Sequence, residues 1–114
     1  MTRTFIQTGE FIKNWESLGL NDDDLRRLEL QIMSDPQIGA VMRGTGKLRK
    51  MRFAFDNRGK SGSARVCYVD FLLLETVYLI TVYPKSSKDN LTNAECNNIR
   101  KMIDQLEQKL EMEV

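Results

Sequence analysis

The side chains best able to do chemistry in this chain are crowded into its middle. Between positions 43 and 65 stand Arg43, Lys47, Arg49, Lys50, Arg52, Arg58, Lys60 and Arg65, against a single acid, Asp56. That stretch carries +7. The nine bases and fifteen acids elsewhere carry −6, so the formal net charge of +1 conceals a polarised molecule. A local cationic field draws in a polyanion, and neutralising phosphates releases counterions, so such binding weakens steeply with salt. A solvated charged hairpin would have the same composition, and composition alone does not separate the two.

The chemistry open to these residues is narrowed by an absence: the chain contains no histidine. Serine–histidine and cysteine–histidine nucleophiles, histidine-based ribonuclease schemes and the usual zinc sites each lose an essential part. Cys67 and Cys96 are isolated and read as free thiols in apolar patterns. Asp22, Asp23 and Asp24 follow Asn21, where they suit a helix N-terminus better than a metal. No glycine-rich phosphate motif of the Walker or dinucleotide type is present. No metal and no other cofactor is expected.

Arginine, lysine and tyrosine can still cut RNA, because the 2′-hydroxyl is a nucleophile already adjacent to the phosphate. Cations need only neutralise the pentavalent phosphorane and hold attacking and leaving oxygens in line. Proton transfer is harder. Tyrosine and lysine, with ordinary pKa values of about 10, act as bases near neutrality only where neighbouring cations lower them.

The elements that must position these groups follow from periodicity. Thr2 to Gln7 reads as a short strand, and Thr8 caps a helix with Phe11, Trp15 and Leu18 on one face, ending at Gly19. A second helix runs from the Asn21 cap through Leu25, Leu28 and Ile32 and stops before Pro36. From Lys47 the pattern changes to strands. Met51, Phe53 and Phe55 alternate with Lys50 and Arg52, a loop spans 56–63, and Ala64 to Leu74 and Val77 to Tyr83 read as central strands. Thr92 and Glu95 form a capping-box pair ahead of Cys96, Ile99, Ile103, Leu106 and Leu110, the stripe of a long closing helix.

The expected fold is therefore α+β, in the order β-α-α-β-β-β-α. It comprises one domain over 1–114, with a four-stranded antiparallel or mixed sheet, helices packed on one face, and the other face open to a ligand. No apolar run approaches the roughly 18 residues that span a bilayer, and the N-terminus turns polar too soon for a signal peptide, so a cytoplasmic protein without membrane contact is expected.

Three blocks then resemble a known family. They are Gly44-Thr45-Gly46-Lys47-Leu48-Arg49-Lys50-Met51-Arg52, Gly59-Lys60-Ser61-Gly62-Ser63-Ala64-Arg65-Val66-Cys67-Tyr68 and Tyr78-Leu79-Ile80-Thr81-Val82-Tyr83-Pro84-Lys85. Together they resemble the HigB branch of the RelE/ParE toxin superfamily, and Ser34-Asp35-Pro36-Gln37-Ile38-Gly39 resembles that family's NP-x-x-G turn. The resemblance spans nearly the whole chain. It implies a RelE-like microbial RNase fold, ribosome-dependent cleavage of messenger RNA, and a cognate antitoxin with a helix-turn-helix domain. On this reading the catalytic residues are Arg65, Lys60, Tyr83 and Lys85, with Arg65 foremost in stabilising the transition state. Lys47, Arg49, Lys50, Arg52, Arg58 and Lys88 bind RNA. The loop glycines Gly59 and Gly62 allow close approach to RNA, and a plain hairpin turn also explains them. Tyr83 fits a core position equally well, Tyr68 reads as a packing residue, and Pro84 stands where relatives carry glycine or alanine. Two other readings stay open: a ParE-like gyrase inhibitor, and a non-catalytic RNA-binding module.

Overall fold

A computed structural model of the chain describes residues 2–55, 62–87 and 91–113. The elements are β1 (Thr4–Gln7), α1 (Gly9–Ser17), α2 (Asp22–Ser34), β2 (Ala40–Val41), β3 (Arg49–Ala54), β4 (Ser63–Phe71), β5 (Thr76–Pro84) and α3 (Asn93–Met112), with a 3-10 turn at Leu72–Leu74. The helix starts are those the capping residues dictate. Thr8 accepts from the Phe11 amide at 3.1 Å. Asn21 and Asp24 exchange reciprocal bonds of 3.0 and 2.9 Å, as do Thr92 and Glu95 at 3.1 and 2.9 Å. Asp24 is buried in that box, so its role is the structural one expected of it. No described helix is long and apolar enough to cross a membrane.

The α+β class holds, and two features of the expected architecture are corrected. The sheet has five strands in the order β1-β5-β4-β3-β2, because Ala40–Val41 adds a two-residue edge strand and β1 lies parallel against β5. Two residues are too few to leave a periodic signal. The helices also cover both faces rather than one. Phe11, Trp15, Leu28 and Ile32 pack on Met51, Phe53, Val66, Tyr68, Val77 and Leu79, whereas Ile103 and Leu110 of α3 pack on Leu48, Cys67, Val69, Phe71, Tyr78 and Ile80. The cause lies in β4 and β5, which are apolar on both sides. Leaving either face bare would expose several large side chains, each worth about 1.5–3 kcal/mol when buried.

Polar ties fasten α3 at its flanks. Arg100 donates to the Gly44 carbonyl at 2.7 Å, and Lys47 pairs with Glu107 at 2.6 Å. At the opposite edge, the Arg3 guanidinium grips both oxygens of Asp70 at 2.7 and 3.3 Å, reaching over β5 from β1 to β4.

Candidate functional site

Register decides which of the cations can meet. Across β3, β4 and β5, Arg52 pairs with Arg65 and Arg65 pairs with Tyr83, so these three stand in one cross-strand row. The next row is Lys50, Cys67 and Thr81. Side chains directly opposite on neighbouring strands have Cβ atoms about 4.5–5.5 Å apart. Alternation places Arg52 and Lys50 on the side away from Met51 and Phe53, and Arg65 on the side of Cys67, which is the α3 side of the sheet.

Tyr83 reaches this side through an irregularity. Cys67 pairs with Thr81 but Tyr68 with Leu79, so Ile80 is an extra residue on β5. Before the bulge, Val77 and Leu79 face α1 and α2; after it, Val82 does, and Tyr83 packs with the α3 cluster. Unbroken alternation would have put Tyr83 beside Val77 and Leu79 in the other core.

Two arginines directly opposite one another, with no acid in either row, repel and lower stability. Their donors are only partly used. Arg52 Nε donates to Ser63 Oγ at 3.1 Å, and Arg65 Nε is buried with no hydrogen-bond partner among the described residues. Buried donors are nearly always satisfied, so Arg65 Nε is a donor with capacity for an acceptor oxygen, as is Arg27 Nη2 over Phe53 on the other side of the sheet. Ser63 is a residue that sequence reasoning left in the loop. Its parity with Arg65 was the available signal, and its carbonyl also accepts the Lys85 amide at 3.1 Å.

The remaining cations divide. Lys85 is exposed just past β5, held at its backbone beside Ser63. Arg49 turns to the opposite face, where Nη1 donates to the Gly39 carbonyl at 2.7 Å. Lys47 is bound to Glu107 and lies 5.8 Å from the Phe71 ring, at the other end of β4 from Arg65. Phe71 lies six residue steps along β4 from Arg65, about 20 Å. Arg58, Lys60 and Lys88, with Gly59, lie outside the described residues. Neither cysteine is in a disulfide; Cys67 is buried and Cys96 half-buried.

Tyr68 does more than pack. Fully buried, its hydroxyl donates to the Pro36 carbonyl at 2.8 Å and accepts from the Gly39 amide at 3.0 Å. Burial pushes its pKa up, opposed by the Gly39 bond and the Arg49 charge. The 36–39 turn thus closes on Tyr68 and Arg49 together. A Cβ on Gly39 would fall 2.9 Å from the Tyr68 ring and 3.1 Å from the Lys50 backbone.

A family model described as the RelE toxin of the RelE/RelB toxin-antitoxin system matches residues 2–114. The chain belongs to the RelE toxin family. A cognate antitoxin is therefore among its partners. The fold is also similar to a solved E. coli toxin RelE, a double arginine-to-alanine mutant in the free state. That match has 16% identity and a TM-score of 0.56, covering 90% of this chain and 98% of that one. At that identity the likeness speaks for the RelE fold alone.

Proposed function

We propose that this RelE-family toxin, read as of the HigB type, is a metal-free endoribonuclease that cuts messenger RNA on the ribosome. The reading is carried by the Arg52–Arg65–Tyr83 row, in which two guanidinium groups and a phenol share one cross-strand line. A phosphodiester laid on this row is neutralised from two sides, and a donor such as Arg65 Nε gains most as charge builds on the phosphorane oxygens. The 2′-oxygen attacks phosphorus, its proton passes to a base, and the 5′-oxygen leaves with a proton from an acid. Tyr83 and Lys85 are the groups assigned to those transfers. Lys50 extends the cationic surface along the adjacent row, and Arg58, Lys60 and Lys88 are assigned to the RNA backbone. The antitoxin, carrying a helix-turn-helix domain, masks this face in the cytoplasm.

The test is expression of the wild type and of Arg65→Ala in a cell-free translation system, followed by mapping of messenger 5′ ends. Codon-positioned cuts that vanish with Arg65→Ala support the reading. Inhibition of gyrase supercoiling without cuts would replace it with ParE-like action. Binding of RNA with neither effect would leave a non-catalytic module.

A further inference from the structure

Between the first turns of α3 and the sheet lies a cavity of about 480 Å³. Its walls include Met42, Ile80, Ile99 and Met102, and Tyr83, the last member of the cationic row, lines it as well. Cys67 and Thr81, both from the adjacent row, complete the floor on the sheet side. The cavity thus begins where the phosphate row ends, one two-residue strand repeat away, about 6.6 Å. That spacing is on the scale of a nucleotide's reach from its phosphate to its own base.

The charges in the two places differ in sign. No lysine or arginine is among the described residues lining the cavity, whereas Glu10 and Glu95 both line it. A phosphate would be repelled there. A flat, mostly apolar ligand whose edge donates hydrogen bonds would be accepted, since carboxylate and amide side chains pair with exocyclic amino groups. Asn98 stands one helical turn beyond Glu95 on α3. Thr81 Oγ1 accepts from Asn14 at 3.3 Å, which leaves its own O–H to donate to a ring nitrogen or carbonyl.

We infer that this cavity is a nucleobase subsite, holding the base next to the phosphate on Arg52 and Arg65 and favouring adenine, cytosine and guanine over uracil. The inference rests on the reading of the row as a phosphate site and adds a specificity element to it. Apolar walls supply stacking and desolvation, and Asn98, Glu95 and Thr81 supply the edge contacts. Glu95 Oε1 also caps α3, so Asn98 is the cleaner residue to alter.

The experiment is a two-dimensional NMR titration of the full-length isotope-labelled protein, first with inorganic phosphate and then with the four nucleoside 3′-monophosphates. Phosphate alone is expected to shift the Arg52 and Arg65 Nε signals. Nucleotides should in addition shift Thr81, Asn98 and the Met102 methyl, with the uridine nucleotide weakest. Asn98 is exposed, so Asn98→Ala retains the fold; it should weaken the other three nucleotides about five- to tenfold and change phosphate binding by less than about twofold. If nucleotides move only the signals that phosphate moves, or uridine binds best, the subsite is refuted while the phosphate row stands. Cavity signals that respond only to the antitoxin would make the cavity a protein anchor and overturn the inference. Arginine signals indifferent to phosphate would remove the row itself, and this inference with it.

Discussion

Tyr83 stands directly opposite Arg65 across the β4–β5 ladder, and it does so because Ile80 is bulged out of the register. One inserted residue moves a phenol out of the α1–α2 core and onto the side where the two arginines face each other. Bulges of this kind re-aim a side chain locally while the strand continues, and they recur beside functional sites. Drawing Ile80 into the ladder would turn Tyr83 to the other face and break the row, whereas deleting Ile80 would leave regular alternation with Tyr83 still opposite Arg65.

Arg65→Ala is expected to lower the rate of messenger cleavage about 10²- to 10³-fold, the range seen when one oriented donor to a developing oxyanion is lost. Arg65→Lys keeps the charge but not the fork of donors, and should recover only part. Primer extension on translated messenger reads both. Unchanged cuts in Arg65→Ala would end the assignment.

Ser63→Ala removes the acceptor that orients Arg52 Nε and leaves the Lys85 amide bond to the Ser63 carbonyl intact. A loss of about tenfold in cleavage is expected, with the salt dependence of RNA binding unaltered, because no charge is removed. The effect should be strongly non-additive with Arg52→Ala, since both act through one guanidinium. Full additivity would show that Ser63 acts by another route.

Arg49 and Lys47 should behave as structural residues despite their place in the cationic stretch. Arg49→Ala strands the Gly39 carbonyl and is expected to cost roughly 1–3 kcal/mol in urea unfolding. Lys47→Ala breaks a partly exposed pair with Glu107 and should cost less than about 1 kcal/mol. Neither should alter phosphate-induced shifts at Arg65. A loss of phosphate binding in a folded Arg49→Ala protein would contradict this division.

Tyr68 ties stability to alkaline pH. Burial raises its pKa above the ordinary value of about 10, so the folded state holds the phenolic proton more tightly than the unfolded chain does. Its contribution is complete below about pH 10 and declines as pH rises toward the folded value. Tyr68→Phe should therefore lower stability by roughly 1–3 kcal/mol at neutral pH, by stranding the buried Gly39 amide, and should flatten the alkaline decline. Denaturant titrations between about pH 8 and pH 11 measure both. An equally steep decline in Tyr68→Phe would assign it to the other tyrosines.

Much of this was legible in the residue order because it is local. Thr8, Asn21 with Asp24, and Thr92 with Glu95 set the helix starts through bonds spanning three residues. The same alternation that sends Lys50 and Arg52 one way sends Arg49 with Met51 and Phe53 the other, so Arg49's departure from the site follows from β3 alone. Cover on both faces went against the expected one-faced packing, although the apolar continuity of β4 and β5 calls for it.

What the amino-acid sequence by itself determined is the α+β class, three capped helices and a concentration of cations around β3 and β4. Each of these depends on neighbours within a few positions. Only the tertiary structure decided which cations share a surface, because that depends on cross-strand register and on a bulge whose single extra residue reverses the side taken by everything after it. A residue string carries no mark for Ile80 as the one left out of the ladder, since its apolar side chain suits either core. It is packing against α3 on one side and against α1 and α2 on the other that selects the register, and with it the meeting of Arg52, Arg65 and Tyr83.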